Sequence, residues 1–257
     1  MKIAVCVKQV PDTWAEKALS PDDSTLDRAA ADGVLNELDE YAVEEALQIA
    51  EAHGGEVTVV SMGPERAAET VRKALSMGAD AGIHIVDDAL HGSDAIATSA
   101  VLSAALEGKG FDLIVFGSES TDARMSVVPA MVAERLGIAQ VTFAQRVTVS
   151  GSDVTIERVT DYGFDTVSAA MPAVVSVVEK INEPRYPSFK GIMAAKSKPV
   201  DTVTAADLGV TATGWDAAGQ QITSVTQAPT REAGEVIEDD GEAHVKIVEF
   251  LEGLKVI

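Results

Sequence analysis

Several things are scarce in this chain, and each scarcity narrows what it can be. A single cysteine, Cys6, stands among 257 residues, so no internal disulfide framework can form and a reducing compartment is expected. Aromatic side chains make up only 4%, too few for an aromatic-rich binding sandwich. Basic residues are outnumbered, with 20 Lys and Arg against 41 Asp and Glu and a formal net charge of −21. Binding a polyanion needs a basic face that releases counterions, so the charge argues against a nucleic-acid partner. Such an acidic surface also serves solubility alone. No apolar run reaches the roughly 18 residues of a membrane span. The opening MKIAVCVKQV is too short an apolar run for a signal peptide, and no small-residue cleavage site follows it. A cytoplasmic location is the expectation.

Familiar chemistry is missing too. There is no GxGxxG after a strand and no GxxxxGK[ST], the two commonest phosphate-cradle signatures. His53, His84, His91 and His244 are scattered, none at metal-ligand spacing from another ligand. Cys6 sits inside an apolar run, where burial is the expectation rather than reactivity. The acid pairs Glu44-Glu45 and Asp239-Asp240 are adjacent in sequence, and helix neighbours point different ways, so neither forms a catalytic dyad. No catalytic residue and no metal site is expected. The chain reads as a scaffold, a nucleotide holder or a subunit, and not as an enzyme.

What is present is a core rich in Ala and Val. Hydrophobic residues reach 46%, enough for a real interior. Their kind suits a parallel sheet of β-branched strands under Ala-rich helices. Strand and helix signals alternate through the first half. Strands are predicted at 2–10, 56–63, 82–87 and 112–117, and helices at 38–53, 64–77, 94–106 and 125–136. That alternation implies an α/β fold, a doubly wound and mostly parallel sheet of the Rossmann-like, adenine-nucleotide-binding type. Residues 140–178 then alternate at period two around a Ser150-Gly151-Ser152 turn, which predicts an antiparallel hairpin extension of the sheet edge. Beyond Pro199 the chain turns polar, passes an acidic stretch at 230–243 and recovers a helical period at 245–254. The expected division is an α/β domain at 1–199 and a C-terminal arm at 200–257 laid across a partner.

In doubly wound sheets, ligands bind at the carboxyl ends of the strands where the winding reverses. With the first four strands in the order 3-2-1-4, the reversal lies between the first and fourth. The residues there are Cys6 to Val10 and the loop GSESTDARMS (117–126). Gly117 permits close backbone approach, Ser118, Ser120, Thr121 and Ser126 supply hydroxyls, and Arg124 supplies positive charge. The helix that follows offers amide groups to an anion. The same residue types also serve as an ordinary turn and helix cap.

The segment NEPRYPSFKGIMAAKSKP (182–199) is a basic, aromatic stretch in an acidic chain. It resembles the Asn-Glu-Pro-Arg-Tyr segment of electron transfer flavoprotein beta subunits, with the Ile-Met-x-Ala-Lys helix after it. VCVKQVPD at the N-terminus, SMGPERAAETVRKALSMGAD, PAVVSV and ADLGV are similar to the same family, so the likeness spans nearly the whole chain. Tyr162 and Asp165 depart from the family pattern, and Arg124-Met125-Ser126 stands where many relatives have Thr-Gly-Gln.

The resemblance implies a subunit of a heterodimer that binds AMP and forms one wall of an FAD site held mostly by an alpha subunit. Electrons would arrive from acyl-CoA dehydrogenases or similar flavoenzymes, as in fatty acid beta-oxidation, and leave towards a quinone oxidoreductase. The AMP positions carry over to Cys6, to Asn36, Glu37, Leu38 and Asp39, and to Met62. They continue through the loop and helix start after the fourth strand, at Gly117, Ser118, Glu119, Ser120, Thr121, Asp122, Ala123, Arg124, Met125, Ser126, Val127 and Val128. Relatives with a second FAD in place of AMP carry a different loop from ARMSVVPA (123–130), so AMP is expected.

The resemblance also implies that 182–199 is a recognition loop. Phe189 falls where relatives place a bulky apolar anchor, beside Tyr186, Ile192 and Met193. Arg185 and Lys190 would meet acidic partner surfaces. On composition alone Phe189 would pack beneath the loop. An ATP-binding sensor resembling universal stress proteins is the alternative, although its glycine-rich loop is absent.

Overall fold

The computed structural model describes every residue except 231–233, 235 and 240. The strands are β1 (Lys2–Cys6), β2 (Gln9–Pro11), β3 (Gly33–Leu35), β4 (Glu56–Met62), β5 (Ala81–Ile85), β6 (Leu113–Gly117), β7 (Ala139–Ser150), β8 (Asp153–Thr160), β9 (Gly163–Ala170), β10 (Ala173–Val177) and β11 (Val200–Val203). The helices are α1 (Glu37–His53), α2 (Ala68–Met77), α3 (Ala95–Leu106), α4 (Val128–Leu136), α5 (Phe189–Ala195), α6 (Gly214–Ala217) and α7 (Ala243–Gly253).

Nine strands form one sheet in the order β11-β5-β4-β1-β6-β10-β7-β8-β9. Every pair from β11 to β7 is parallel, and only the β7-β8 and β8-β9 pairs are antiparallel. The fold is therefore α/β, with the order 3-2-1-4 for the first four strands expected from sequence. Alternation sends Ile3 and Val5 of β1 into one core with α1 and α2, and Ala4 and Cys6 into a second with α3 and α4. Both faces of the central strands are covered, which is why they read as continuous apolar runs. Each fully buried Val or Ile there contributes about 1.5–3 kcal/mol.

Three elements differ from expectation, each for a local reason. The strand expected at 2–10 ends at Cys6. Lys8 is captured sideways by the helix that follows, and Gln9–Pro11 leaves to pair with β3. Helix α4 begins at Val128, not Met125, because Arg124 (φ 48°) and Ser126 (φ 56°) take left-handed backbone. Pro129 then sits in its first turn, where no N–H is missed. The expected 140–178 extension is a three-stranded meander only as far as Ala170. Ala173–Val177, buried throughout, instead inserts between β6 and β7 as a parallel strand. Its unbroken apolar run suits a strand covered on both faces.

The chain divides into two compact units, Met1–Ile222 and Thr223–Ile257. The first includes β11, which pairs with β5 at the far edge of the sheet. The second contains α7, whose Val245, Val248 and Phe250 are exposed. The acidic stretch at 230–243 and the Asp239-Asp240 pair lie partly outside the described residues. Among the described residues no helix is long and apolar enough to cross a membrane.

Candidate functional site

The winding reverses between β1 and β6, and the first turn of α1 fits into the gap at their carboxyl ends. Asn36, fully buried, joins the two sides. Its amide nitrogen donates to the Glu119 carbonyl at 2.9 Å, and its carbonyl oxygen accepts from the Thr121 N–H at 3.0 Å. Asp39, one turn on, accepts from the Lys8 N–H at 2.8 Å and from the Gly117 N–H. Burial pushes the Asp39 carboxyl up to about 7, against the pull of Asn36, those two amides and the Lys8 charge. Gly117 has no room for a side chain. A Cβ there would lie 2.5 Å from Asp39 Oδ1 and 2.8 Å from the Leu38 carbonyl carbon. The glycine is thus required by close approach at the site, not by a turn.

A second network closes the outer side. The buried Asp122 carboxylate accepts from Lys8 Nζ at 2.8 Å and from Arg28 Nη2 at 2.8 Å. Burial would raise its pKa, but the Lys8 charge and these hydrogen bonds outweigh it and hold the carboxyl down to about 2. Arg28 belongs to an excursion at residues 12–32 whose opposite side is tied by Asp23 to His91, 2.5 Å away and just after β5. Since β5, β4, β1 and β6 are consecutive in the sheet, this excursion spans from the segment after β5 to the loop after β6.

Sequence reasoning placed Cys6 to Val10 at the reversal without singling out Lys8, and missed Arg28. A lone lysine inside the apolar run KIAVCVKQV was the available signal for the first. Arg28 carried none, because its excursion has neither helical nor strand period.

The expected nucleotide residues fall together here. Cys6 and Met62 end β1 and β4 on the α3/α4 face. Burial, and then the nearby Asp39, push the Cys6 thiol far up, which disfavours the reactive thiolate. Ser118 and Thr121 are buried, and the Thr121 hydroxyl has no hydrogen-bond partner. Arg124 and Ser126 both turn onto the Glu119 carboxylate, each at 3.1 Å. The charge expected for an anion is therefore balanced within the loop. Among the described residues no cluster of His, Cys, Asp or Glu is placed to hold a metal.

The second candidate surface is the 182–199 segment. Tyr186 is 95% and Phe189 80% exposed, and Ile192 and Met193 are about half exposed. Packing beneath the loop is therefore not the role of Phe189. Lys190 is exposed as well. Arg185 differs from expectation. Its guanidinium is already paired with Glu44 at 2.7 Å and Glu51 at 2.6 Å, both on α1.

The class of protein that the structure itself defines is a doubly wound α/β one, close-packed at its switch point and carrying an exposed apolar loop. Comparison with known proteins narrows it. Residues 23–208 match the electron transfer flavoprotein domain family. The chain is 51% identical to electron transfer flavoprotein subunit beta of Mycobacterium tuberculosis over 99% of both chains. It is 36% identical to the subunit of that name from Thermoanaerobacterium thermosaccharolyticum over the full length of both. The figure is 37% for that from Bradyrhizobium diazoefficiens, over 96% of this chain and 97% of the other. The chain belongs to the electron transfer flavoprotein beta-subunit family, which leaves no ground for the stress-protein alternative.

Proposed function

We propose that this chain pairs with an alpha subunit, holds AMP in the crevice between β1 and β6, and docks acyl-CoA dehydrogenases through residues 182–199. The observation that carries the nucleotide reading is the switch point between β1 and β6, where the first turn of α1 meets the loop after β6. Asn36 and Asp39 hold the first turn of α1 against the end of β6 and the loop after it, so closely that Gly117 has no room for a Cβ. The buried, unpartnered Thr121 hydroxyl supplies a polar group suited to a ribose or phosphate oxygen. Cys6 and Met62 would flank the base. The loop at 117–128 and the first-turn amides of α4 would face the phosphate. The sequence ARMSVVPA (123–130) favours AMP over a second flavin.

In this reading an FAD held mainly by the alpha subunit supplies the redox chemistry, accepting electrons from a dehydrogenase and passing them towards a quinone oxidoreductase. This chain binds, positions and covers; it supplies no catalytic group. The exposed Tyr186 and Phe189 give the docking surface its apolar centre, and Lys190 borders it. The polar arm after Ile222 and the exposed apolar side chains of α7 suit an alpha-subunit contact.

The test is extraction of nucleotide from the purified heterodimer. One AMP per heterodimer is expected. ATP, or no nucleotide under conditions that retain flavin, would overturn the AMP assignment.

A further inference from the structure

The 182–199 segment is fastened at both ends. At its far end the Lys198 ammonium donates to the carbonyls of Leu75, Gly78 and Ala79, at the C-terminus of α2. Nearby, α5 lies so close to α2 that a Cβ on Gly191 would sit 2.4 Å from the Ser76 carbonyl oxygen. At its near end stands Arg185. Its Nε and Nη2 donate to the two oxygens of Glu44 at 2.7 and 3.0 Å. Its Nη1 and Nη2 donate to the two oxygens of Glu51 at 2.6 and 3.2 Å. Its backbone N–H also donates to Glu44, at 3.1 Å. Three residues earlier, Asn182 donates to the Tyr41 carbonyl and to Glu45.

These contacts spend two consecutive buried carboxylates, Glu44 and Glu45, on seating one loop. Buried carboxylates are costly unless paired and hydrogen-bonded, so the seat is built for the pairing. Burial alone would raise the Glu44 pKa, but the bonds from Arg185 and Gln48 outweigh it and hold the carboxyl below the usual range. Pro184 and Pro187 further narrow the backbone between the fastenings. Between them Tyr186 and Phe189 project into solvent. The seat is the same helix whose first turn lines the nucleotide crevice.

We propose that Arg185 is a positioning residue for partner docking and not a contact: its clamp across Glu44 and Glu51 holds the loop in its docked form before the partner arrives. The inference rests on the docking reading above. A loop ordered in advance loses less entropy on binding. The planar guanidinium fork is needed, because a lysine ammonium cannot span two carboxylates bidentately. The partner therefore meets Phe189 and its neighbours and leaves the guanidinium alone.

The test uses the alpha–beta heterodimer as electron acceptor from a substrate-reduced acyl-CoA dehydrogenase, with the heterodimer concentration varied. Hydrogen exchange of residues 183–190 is followed in parallel. Arg185→Lys should raise KM for the heterodimer about tenfold with kcat unchanged, and should speed exchange in the loop. Glu51→Gln, at the exposed half of the clamp, should move both in the same direction by less. Phe189→Ala should raise KM without altering exchange. The double variant Arg185→Lys/Phe189→Ala should be no worse than Phe189→Ala alone, because Arg185 acts through that side chain. Unchanged KM and exchange in Arg185→Lys would overturn the inference. So would fully multiplicative KM effects, which would make Arg185 a contact in its own right. A KM rise in Phe189→Ala with none in Arg185→Lys removes this inference and leaves the docking reading standing. An unchanged KM in Phe189→Ala removes both.

Discussion

Asp39 and Asp122 lie on the same crevice and titrate in opposite directions. Burial dominates at Asp39 and lifts its carboxyl to about 7. The folded state therefore binds a proton that the unfolded state, with an ordinary carboxyl near pKa 4, has released. This contribution falls as pH rises from about 4 to about 7 and is level above that. Relative to Asp39→Asn, the wild type should lose stability steadily across that window in denaturant titrations; a difference independent of pH would contradict the assignment. At Asp122, Lys8 and Arg28 outweigh burial and the carboxyl drops to about 2. Its contribution, about 2 kcal/mol, is present above the ordinary carboxylate pKa and is lost as pH falls towards 2. Gly117 makes a third residue-level case. Gly117→Ala places a methyl against Asp39 and the Leu38 backbone, neither of which is a free side-chain end. A loss of about 1–3 kcal/mol is expected from such overpacking, read as a lower denaturation midpoint. An unchanged midpoint would mean that α1 shifts without cost.

At the scale of elements, much was legible in the sequence because central parallel strands are covered on both faces. KIAVC, EVTVVSM and LIVFG announce themselves as apolar runs, and helix stops at Gly54 and Gly137 fell where expected. The excursion at 12–32 was not legible. It is held by tertiary pairs such as Arg28–Asp122, which no local period encodes. The insertion of β10 was hidden for a related reason: strand order in a sheet is a property of pairing partners. At the candidate site, the place of the loop at 117–126, directly after β6, was legible from the strand pattern, whereas the clamp on Arg185 was not. A basic residue in an acidic chain reads as free until its carboxylates are located.

The proposed docking role of residues 182–199 is testable at this scale. Phe189 stands 80% exposed, so Phe189→Ala should leave the melting temperature near normal while weakening dehydrogenase affinity by about 2 kcal/mol. A core phenylalanine would instead cost roughly 3–5 kcal/mol of stability. Lys190→Glu, beside it, should lower the association rate and its salt dependence more than the dissociation rate. A large fall in melting temperature with unchanged electron uptake would contradict the exposed setting.

For the molecule as a whole, ligand linkage gives the next expectation. AMP at 100 times its dissociation constant should raise the stability of the folded chain by about 2.7 kcal/mol. Ser126→Glu should reduce that gain, because it sets a second carboxylate beside Glu119 in the loop that would face the phosphate. An equal thermal shift in the variant would place the phosphate elsewhere.

The proposed function makes this chain half of a carrier, one that would shape and cover a redox site without owning it. Flavin content, measured by absorbance on the chain purified alone and again after coexpression with an alpha subunit, tests this most directly. The account predicts almost no flavin in the chain alone and about one FAD per heterodimer after coexpression. Tight, stoichiometric FAD in the chain purified alone would contradict it.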